Sequence, residues 1–434
     1  IKTMLKLILK NLWARRRRNV WLLAELILVS IVTWIILDPV IVTTYDRSIP
    51  LGYDTDRLCL VTLSTLQSQA PGYDEEAEDS AMIMKSYFNL TRLVKDYPGV
   101  ESATPVLGFA YPNSTGNANT SIRAEGDTLD LPVMIMEFIP HTNFFETYGF
   151  RSGRGRTPAE LSDYDYTEND IVMTENTAEH LFHTKNAGNK RCWSREGNDT
   201  IYSPVIGVVG NFKATSDSRP APVIFRPLIS IDMEDAYDDM RILLRLKENV
   251  SMKRFLHDFQ PWMVKELRAG NLFARNVRSY EALITKNESY DVTPMYRRNL
   301  AMAAFFLINL CLGVIGTFWL QTRTRREEVG VMLSFGGTPG YIVRLLMGEG
   351  AVLTFVAALA GCLLYLQYAV KEGLERGNNW RQIIDECWIT DFTQHFLIVS
   401  FIVFFILLAV VLIGIYIPAR KISRIPPTEA LRDE

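Results

Sequence analysis

Four apolar segments, each about as long as a membrane-spanning helix, constrain this chain more than any other feature. They cover residues 20–37, 298–320, 345–370 and 396–417. A helix needs roughly 20 residues to cross a bilayer, because each residue adds ~1.5 Å and the hydrocarbon core is ~30 Å thick. The first segment contains Glu25, and we interpret it as a retained anchor because no small-residue cleavage site follows it. The sequence therefore predicts an α-helical membrane protein with four transmembrane helices.

Lysine and arginine residues cluster at three flanks of these segments and predict the orientation of the chain. These residues are Lys2, Lys6, Lys10 and Arg15–Arg18, then Arg323, Arg325, Arg326 and Arg344, then Arg420, Lys421, Arg424 and Arg432. Cytoplasmic loops carry the excess of basic residues, so residues 1–19, 321–344 and 418–434 are predicted to be cytoplasmic. Residues 38–297 and the acidic loop 371–395 are then predicted to lie on the other side.

The long region at 38–297 alternates strand-like and helix-like patterns, which predicts a large α+β domain. Residues 55–112 and 238–282 each read as a strand, a helix and a strand. Between them, residues 113–237 are predicted to form an inserted subdomain, because a chain that leaves a compact unit and returns usually does so around an insertion. Its predicted elements are a polar loop at 112–127, a helix at 175–182 and strands at 131–139, 170–173, 203–212 and 223–228.

Motifs for catalysis or nucleotide binding are absent from the sequence. No glycine is followed by lysine, so there is no phosphate-binding G-x-x-x-x-G-K-[ST] loop, and no G-x-S-x-G nucleophile motif occurs. His180 and His183 lack a nearby third metal ligand and read as part of a surface helix. A net charge of −3 gives no basic surface for nucleic acid. A bridge between Cys59 and Cys192 stays open, since it would need an oxidising compartment.

The segment between the second and third spans has the pattern of a short helix followed by a hinge. It begins "RREEVG", and its apolar stripe at helical spacing consists of Val329, Met332 and Leu333. The pair Gly336-Gly337 is predicted to end this helix, and Thr338 is predicted to cap a new helix with Pro339 in its first turn. The stripe is expected at the inner membrane surface, although a plain connector between spans is the alternative.

The stretch "RTRREEVGVMLSFGGTPGYIVRLLMGEGAVL" resembles the corresponding stretch of FtsX-like permeases of the MacB class, and the tail "IPARKISRIPPTEALRDE" resembles their C-terminal ending. "FFETYGFRSGR" and "SPVIGVVGNFK" extend the resemblance into the large domain. The resemblance implies a periplasmic core domain with a porter-like part built from both ends. It also implies an ATPase-coupling segment that includes Arg326, Glu327, Glu328, Val329, Gly330, Gly336 and Gly337. Two further expectations are intramembrane acids at Glu25 and Glu349 and a tail motif of Pro418, Ala419, Arg420, Glu429, Ala430 and Leu431.

The function implied by this resemblance is that of a non-catalytic permease subunit in a bacterial inner membrane. A separate ATPase would hold ATP and magnesium, and this chain would bind no cofactor. The motion of the ATPase would be transmitted to the periplasmic domain of this chain, and that domain would expel a periplasmic substrate. The implied partners are a second permease copy or a sister permease, a periplasmic adaptor, an outer-membrane duct and lipid. Lipoprotein release, a membrane sensor for antimicrobial peptides that signals to a kinase, and a membrane-anchored ectoenzyme are the alternatives.

Overall fold

The computed structural model describes residues 2–426 apart from 109, 115, 117, 154, 198, 230–239, 291, 324 and 378–386. The chain divides into two compact units. The helical unit comprises Ile1–Tyr45, Pro294–Gly377 and Glu386–Glu434, and the α+β unit comprises Asp46–Thr293 and Asn378–Asp385. The helices are α1 (Lys2–Ala14), α2 (Arg16–Ser48), α3 (Ser80–Asp96), α4 (Phe144–Tyr148), α5 (Pro158–Ser162), α6 (Glu175–Phe182), α7 (Met252–Glu266), α8 (Tyr280–Glu288), α9 (Val292–Arg323), α10 (Arg326–Ser334), α11 (Pro339–Glu372) and α12 (Phe392–Ile422).

Four of the described helices are long and apolar enough to cross a membrane, and each overlaps one of the four predicted segments. The candidate spans cover Asn19–Ser48, Thr293–Thr317, Pro339–Glu372 and Phe392–Ile422. The first is longer than the segment predicted at 20–37, because α2 continues through Pro39 to Ser48. A proline inside a helix removes one backbone hydrogen bond, but the helix does not end there.

Two apolar clusters hold the helical unit together. In one of them the Trp34 ring stacks on Tyr365 at a centroid distance of 4.2 Å, and its indole Nε1 donates a hydrogen bond to the Ser400 hydroxyl at 3.0 Å. Trp34 is fully buried, so truncating it to alanine would cost about 3–5 kcal/mol. The first turn of α12 is fixed by Asp391, whose carboxylate accepts the backbone N–H of Gln394 at 2.7 Å.

The α+β unit contains an open sheet and a closed barrel. The strands are β1 (Leu58–Thr65), β2 (Val100–Val106), β3 (Ala118–Ala124), β4 (Leu131–Phe138), β5 (Ile171–Thr174), β6 (Arg191–Glu196), β7 (Asp199–Val209), β8 (Val223–Pro227), β9 (Arg241–Leu246), β10 (Arg268–Ala269) and β11 (Leu272–Ser279). The five-stranded sheet has the order β10-β11-β1-β9-β2, and the barrel has the order β3-β4-β8-β5-β7-β6. In chain order, α3 connects β1 to β2 and α7 follows β9.

The barrel explains why one predicted loop is wrong. Residues 118–124, inside the polar stretch predicted as a loop, form β3, which pairs with β4 and β6. Ile122 and Ala124 are buried on this strand, whereas Asn119 and Ser121 are exposed. Neighbouring side chains of a strand point to opposite faces, so the polar residues of β3 lie on the outside of the barrel. Because polar residues are abundant in this stretch, the alternation of buried and exposed residues is not apparent from the sequence.

One apolar core joins the sheet to the barrel within this unit. Leu58 and Leu243 of the sheet pack in the same buried cluster as Phe225 of the barrel. Five buried tyrosines belong to that cluster, among them Tyr280, which donates its hydroxyl hydrogen to the carbonyl of Pro112. Buried tyrosines need such partners because an unpaired hydroxyl is costly away from water. The sheet and barrel therefore share one interior.

Candidate functional site

The hinge predicted between the second and third spans is present at the predicted residues. Helix α10 ends at Ser334, and Gly336 follows with φ +86°. A Cβ atom on Gly337 would lie 2.7 Å from the carbonyl oxygen of Met332, which leaves no room for a side chain. Thr338 then caps α11, since its hydroxyl oxygen accepts the backbone N–H of Tyr341 at 3.3 Å. Left-handed φ and lack of space therefore account for the two glycines.

The apolar stripe of α10 packs inward rather than lying on an open surface. Val329 is buried, and it belongs with half-buried Met332 and Leu333 to a cluster that contains Leu22 of α2 and Ile415 of α12. Val329 therefore packs against the chain's own helices, and the contact of α10 with the membrane surface or an ATPase stays a prediction. Its burial is driven by the hydrophobic effect, and it holds α10 against the transmembrane helices.

A different face of α10 is exposed. Phe335, directly after the helix, is 88% exposed, and Val331 is 43% exposed. Glu328 is also exposed. Phe335 and Val331 lie outside the spacing of three and four residues that begins at Val329. The sequence signal for this surface is Phe335, a large apolar side chain that lies off the buried stripe. The family motif does not include this residue. We call Glu328, Val331 and Phe335 the outer face of α10.

A buried ion pair fixes the start of α10. Arg325, the residue before the helix, donates through its guanidinium Nη1 to the Glu349 carboxylate of α11. The other carboxylate oxygen accepts a hydrogen bond from the side-chain amide of Asn11 in α1, at 3.1 Å. Arg325 and Glu349 are both buried, and removing one partner of a buried pair leaves an uncompensated charge. Glu349 was selected from the sequence, whereas Arg325 was recognised only as a basic flank.

The N-terminal helix contributes two further contacts to this arrangement. Arg15, between α1 and α2, forms an ion pair with Glu328, whose side chain is 48% exposed. Ile8 of α1 packs so closely on α11 that a Cβ on Gly348 would lie 2.6 Å from it. Exposed ion pairs contribute about 0–1 kcal/mol, so the packing of Ile8 and the buried Glu349 contacts hold α1 more firmly than Arg15 does.

The remaining predicted residues fall into three groups. Gly330 is buried in α10, while the side chains of Arg326 and Glu327 lie outside the described part of the chain. Glu25 is half-buried on α2, and its carboxylate lies 3.5 Å from where a Cβ on Gly313 would stand. In the tail, Pro418 and Ala419 are buried, and the Arg420 guanidinium lies 5.9 Å from the Tyr416 ring. Glu429, Ala430 and Leu431 lie outside the described residues.

A second buried polar group in the helical unit was not selected from the sequence. Asp38 of α2 lies with one carboxylate oxygen 2.7 Å from Nε2 of His395, and its other oxygen accepts the backbone N–H of Glu375 at 3.1 Å. Nδ1 of His395 lies 3.1 Å from the carbonyl oxygen of Ile389. Asp38 and His395 are 357 positions apart, so no local pattern pairs them.

The described residues contain no group of three or more histidine, cysteine, aspartate or glutamate side chains arranged to hold a metal. His183 ends α6 in the left-handed conformation, and His180 Nδ1 lies 2.8 Å from the carbonyl of Asn176. The two histidines therefore do not share one regular helix face. Cys59 and Cys192 are free thiols buried in separate clusters, so the disulfide left open above does not form.

Comparison with known families identifies the family of this chain. Residues 40–261 match the MacB-like periplasmic core domain, and residues 300–427 match the FtsX-like permease C-terminal domain. The chain is an ABC-transporter permease of the MacB/FtsX-like family. Permeases of this family are generally non-catalytic components and normally work with an ABC ATPase. A comparison with curated protein sequences gave no significant match.

Solved structures similar to this permease match its large domain. The periplasmic region of MacB from Actinobacillus actinomycetemcomitans is 11% identical, with a TM-score of 0.32, over 56% of this chain and 96% of that one. A domain of a putative permease from Porphyromonas gingivalis is 18% identical, with a TM-score of 0.32, over 52% and 92%. The extracellular domain of the transporter YknZ from Gram-positive bacteria is 13% identical, with a TM-score of 0.27, over 50% and 100%. The family assignment rests on the two domain matches.

Proposed function

We propose that this permease receives the ATP-driven movement of a separate ATPase subunit at the outer face of α10 and transmits it to its α+β domain. That domain then expels a substrate on the far side of a bacterial inner membrane. ATP and magnesium are held by the ATPase. The working assembly contains a second copy of this permease or a sister permease, with a periplasmic adaptor and an outer-membrane duct as further partners.

Phe335 is the observation that carries this proposal. A phenylalanine that is 88% exposed leaves its ring in water unless a partner covers it, and burying such a ring is worth about 1.5–3 kcal/mol. Val331 and Glu328 lie beside it on the same short helix. Aromatic side chains at the centre of a small apolar patch commonly dominate protein–protein binding. This face suits a shallow groove on a partner protein.

The attachment of α10 supports transmission rather than mere binding. The Arg325–Glu349 pair holds the start of α10, and Val329 holds its inner face. The capped hinge at Gly336-Gly337 then leads directly into α11. Because the helix is fixed at its start and along its inner side, a push on Phe335 is passed to α11 and to α1 instead of being absorbed by local bending.

Replacing Phe335 by alanine tests this directly. Co-expressed with its ATPase, the variant should retain at most about a tenth of the wild-type ATPase on purification, because a central aromatic is typically worth 2 kcal/mol or more. Phe401→Ala, an equally bulky exposed ring on α12, is the matched control and should bind normally. Equal ATPase recovery with the two variants would remove the outer face of α10 from the proposal.

A second experiment separates binding from transmission. Arg325→Met leaves the outer face intact but strands the Glu349 carboxylate, so we expect ATPase to bind while the permease no longer changes its hydrolysis rate. Glu372→Gln, which removes only an exposed ion pair at the other end of α11, should preserve both. Normal stimulation by Arg325→Met at normal membrane levels would contradict a transmitting role for the buried pair.

A further inference from the structure

The end of helix α2 is held by a buried lysine of the α+β unit. The ammonium group of Lys213 donates hydrogen bonds to the carbonyl oxygens of Asp46 at 2.8 Å and Ile49 at 3.2 Å, and also to that of Ser216. Lys213 is only 1% exposed. The last carbonyl groups of a helix lack intrahelical partners and attract cations. Lys213 therefore caps α2 from a distant part of the sequence.

A buried arginine from the same loop holds the side chain at this helix end. Nε of Arg219 lies 3.2 Å from Oδ1 of Asp46, and the two side chains are 2% and 0% exposed. Residues 213–219, which we call the 213–219 loop, thus grip both the backbone and the carboxylate of Asp46. The grip fixes the position of residues 46–49 within the α+β unit.

The same loop also holds the end of α8, the last helix before α9. The Glu288 carboxylate accepts a hydrogen bond from the Ser216 hydroxyl on one oxygen and from Arg47 at 2.6 Å on the other. The adjacent Asn287 donates its side-chain amide to the carbonyl of Asn113 at 2.8 Å, and Asn113 Oδ1 accepts the backbone N–H of Ser216 at 3.2 Å. Both connections of the chain to the transmembrane helices are therefore fastened to one loop.

We propose that the 213–219 loop, together with Asp46 and Glu288, is a joint that holds these two connections together, so that movement of either one displaces the α+β unit as a single body. Lys213 and Arg219 are positioning residues in this joint, and the proposal rests on the transmitting function proposed above. The joint binds the ends of two helices of the permease itself, α2 and α8.

A joint built from buried charges contributes little net stability to the fold. Well-packed apolar residues often stabilise a site as well as or better than a buried ion pair does, because the charges lose their hydration. What directed hydrogen bonds provide is a fixed geometry. Lys213 donates to three carbonyl oxygens, and those of Asp46 and Ile49 lie at the end of α2 and directly after it. A small displacement of this helix end would therefore break two of these bonds together.

Burial gives this joint a characteristic pH dependence. It lowers the pKa of Lys213 from 10.5 to about 8, while Asp217, Asp46 and Glu288 oppose the shift and Arg47 adds to it. When the joint opens, the lysine meets water and regains its usual pKa, so the open state binds the proton more tightly. Raising the pH from 7 to 9 should therefore disfavour opening about tenfold.

Hydrogen exchange in the full-length protein in detergent measures this opening. Peptides that cover residues 44–50 and 211–219 should show protection factors, corrected for intrinsic exchange, that rise about tenfold from pH 7 to pH 9. Lys213→Arg should keep the protection seen at pH 7 and lose the rise, because arginine does not deprotonate in this range. A flat profile in the wild-type protein would overturn the joint without need of any variant.

The variant Lys213→Met tests the mechanical role. It should lower protection at both peptides at least about tenfold, whereas Lys253→Met on the exposed face of α7 should change nothing. In complex with the ATPase, Lys213→Met should bind normally but lose any ATP-dependent change in exchange of the α+β unit. Retention of that change would refute the joint. Failure of the wild-type permease to bind an ATPase would refute the proposed function instead, and would leave the exchange profile as it is.

Discussion

The imidazole of His395 in α12 lies against the carboxylate of Asp38 in α2, and both side chains are buried. Its Nε2 faces the Asp38 carboxylate at 2.7 Å and its Nδ1 faces the carbonyl oxygen of Ile389 at 3.1 Å. The other Asp38 oxygen accepts the backbone N–H of Glu375 at 3.1 Å. This buried pair therefore links α2 to α12 and to the residues that follow α11.

Asp38→Asn should destabilise the helical unit by about 1–3 kcal/mol, because it replaces one carboxylate oxygen of this buried hydrogen-bond network by an amide N–H₂ group. The double variant Asp38→Asn, His395→Gln should recover part of that loss, since neighbouring residues of one network are not additive. Thermal unfolding in detergent measures both. Glu372→Gln, an exposed pair member on α11, serves as control. A double variant as unstable as the sum of the single variants would contradict an interaction between Asp38 and His395.

The hinge after α10 should tolerate no side chain. Gly336→Ala places a Cβ at φ +86°, which costs about 1–3 kcal/mol, and Gly337→Ala forces a clash with the Met332 carbonyl. Gly340→Ala, with nothing within 4 Å, should be neutral or slightly stabilising because alanine favours helix. Stimulated ATP hydrolysis and melting temperature distinguish these variants. If all three behaved alike, the hinge geometry would be irrelevant to coupling.

The two buried thiols of the α+β unit should be inert in the native protein. Burial raises the pKa of Cys59 and of Cys192 to about 12, so the reactive thiolate is scarce at neutral pH. Maleimide at pH 7.5 should modify them only after denaturation, while half-buried Cys387 reacts first. Mass spectrometry of labelled peptides reads the order. Labelling of Cys59 as fast as Cys387 would show that this interior opens freely.

The same shifts predict how stability changes at alkaline pH. The folded thiols keep their protons to about pH 12, whereas unfolded thiols lose them near pH 8.5. The unfolded state therefore binds fewer protons between these values, and the free energy of unfolding falls as the pH rises through this range. Cys59→Ala would remove the contribution of Cys59 to this pH dependence of the free energy of unfolding. It would also leave a small cavity.

Topology stays a prediction from the basic flanks. Reporter fusions at Asp127, an exposed turn after β3, and at Ser334, the end of α10, should report opposite sides of the membrane. We expect Asp127 outside and Ser334 in the cytoplasm. An external signal at Ser334 would overturn the arrangement of partners proposed above, because an ATPase in the cytoplasm could then not reach the outer face of α10.

Local signals predicted local structure well. The Gly336-Gly337 break and the Thr338 cap follow from backbone chemistry within a few residues, and the sheet strands follow from short apolar runs. Long-range pairings were missed because nothing in a sequence window reports them. Arg325 finds Glu349 only when α11 folds back beside α10, and Lys213 finds the end of α2 across 167 positions.

The apolar stripe of α10 shows a different limit of the sequence. Val329 was correctly recognised as part of an apolar helix face, but the identity of its neighbour was not in the pattern. An apolar side chain such as Val329 can pack equally well against the membrane surface, a partner protein or the chain's own helices. Only the packing against Leu22 and Ile415 shows which one covers it, and this moved the candidate contact surface to Phe335.

The strand order of the α+β unit limits how other chains can attach to it. A closed barrel has no unpaired strand edge, so no extended peptide can be added to β3–β8. The open sheet ends in β10, which has two residues, and in β2, which contains Pro105. A short strand and a proline without an N–H group both discourage edge pairing. Protein partners of this domain must therefore bind through side chains and loops, and the domain is protected against edge-to-edge aggregation in a crowded compartment.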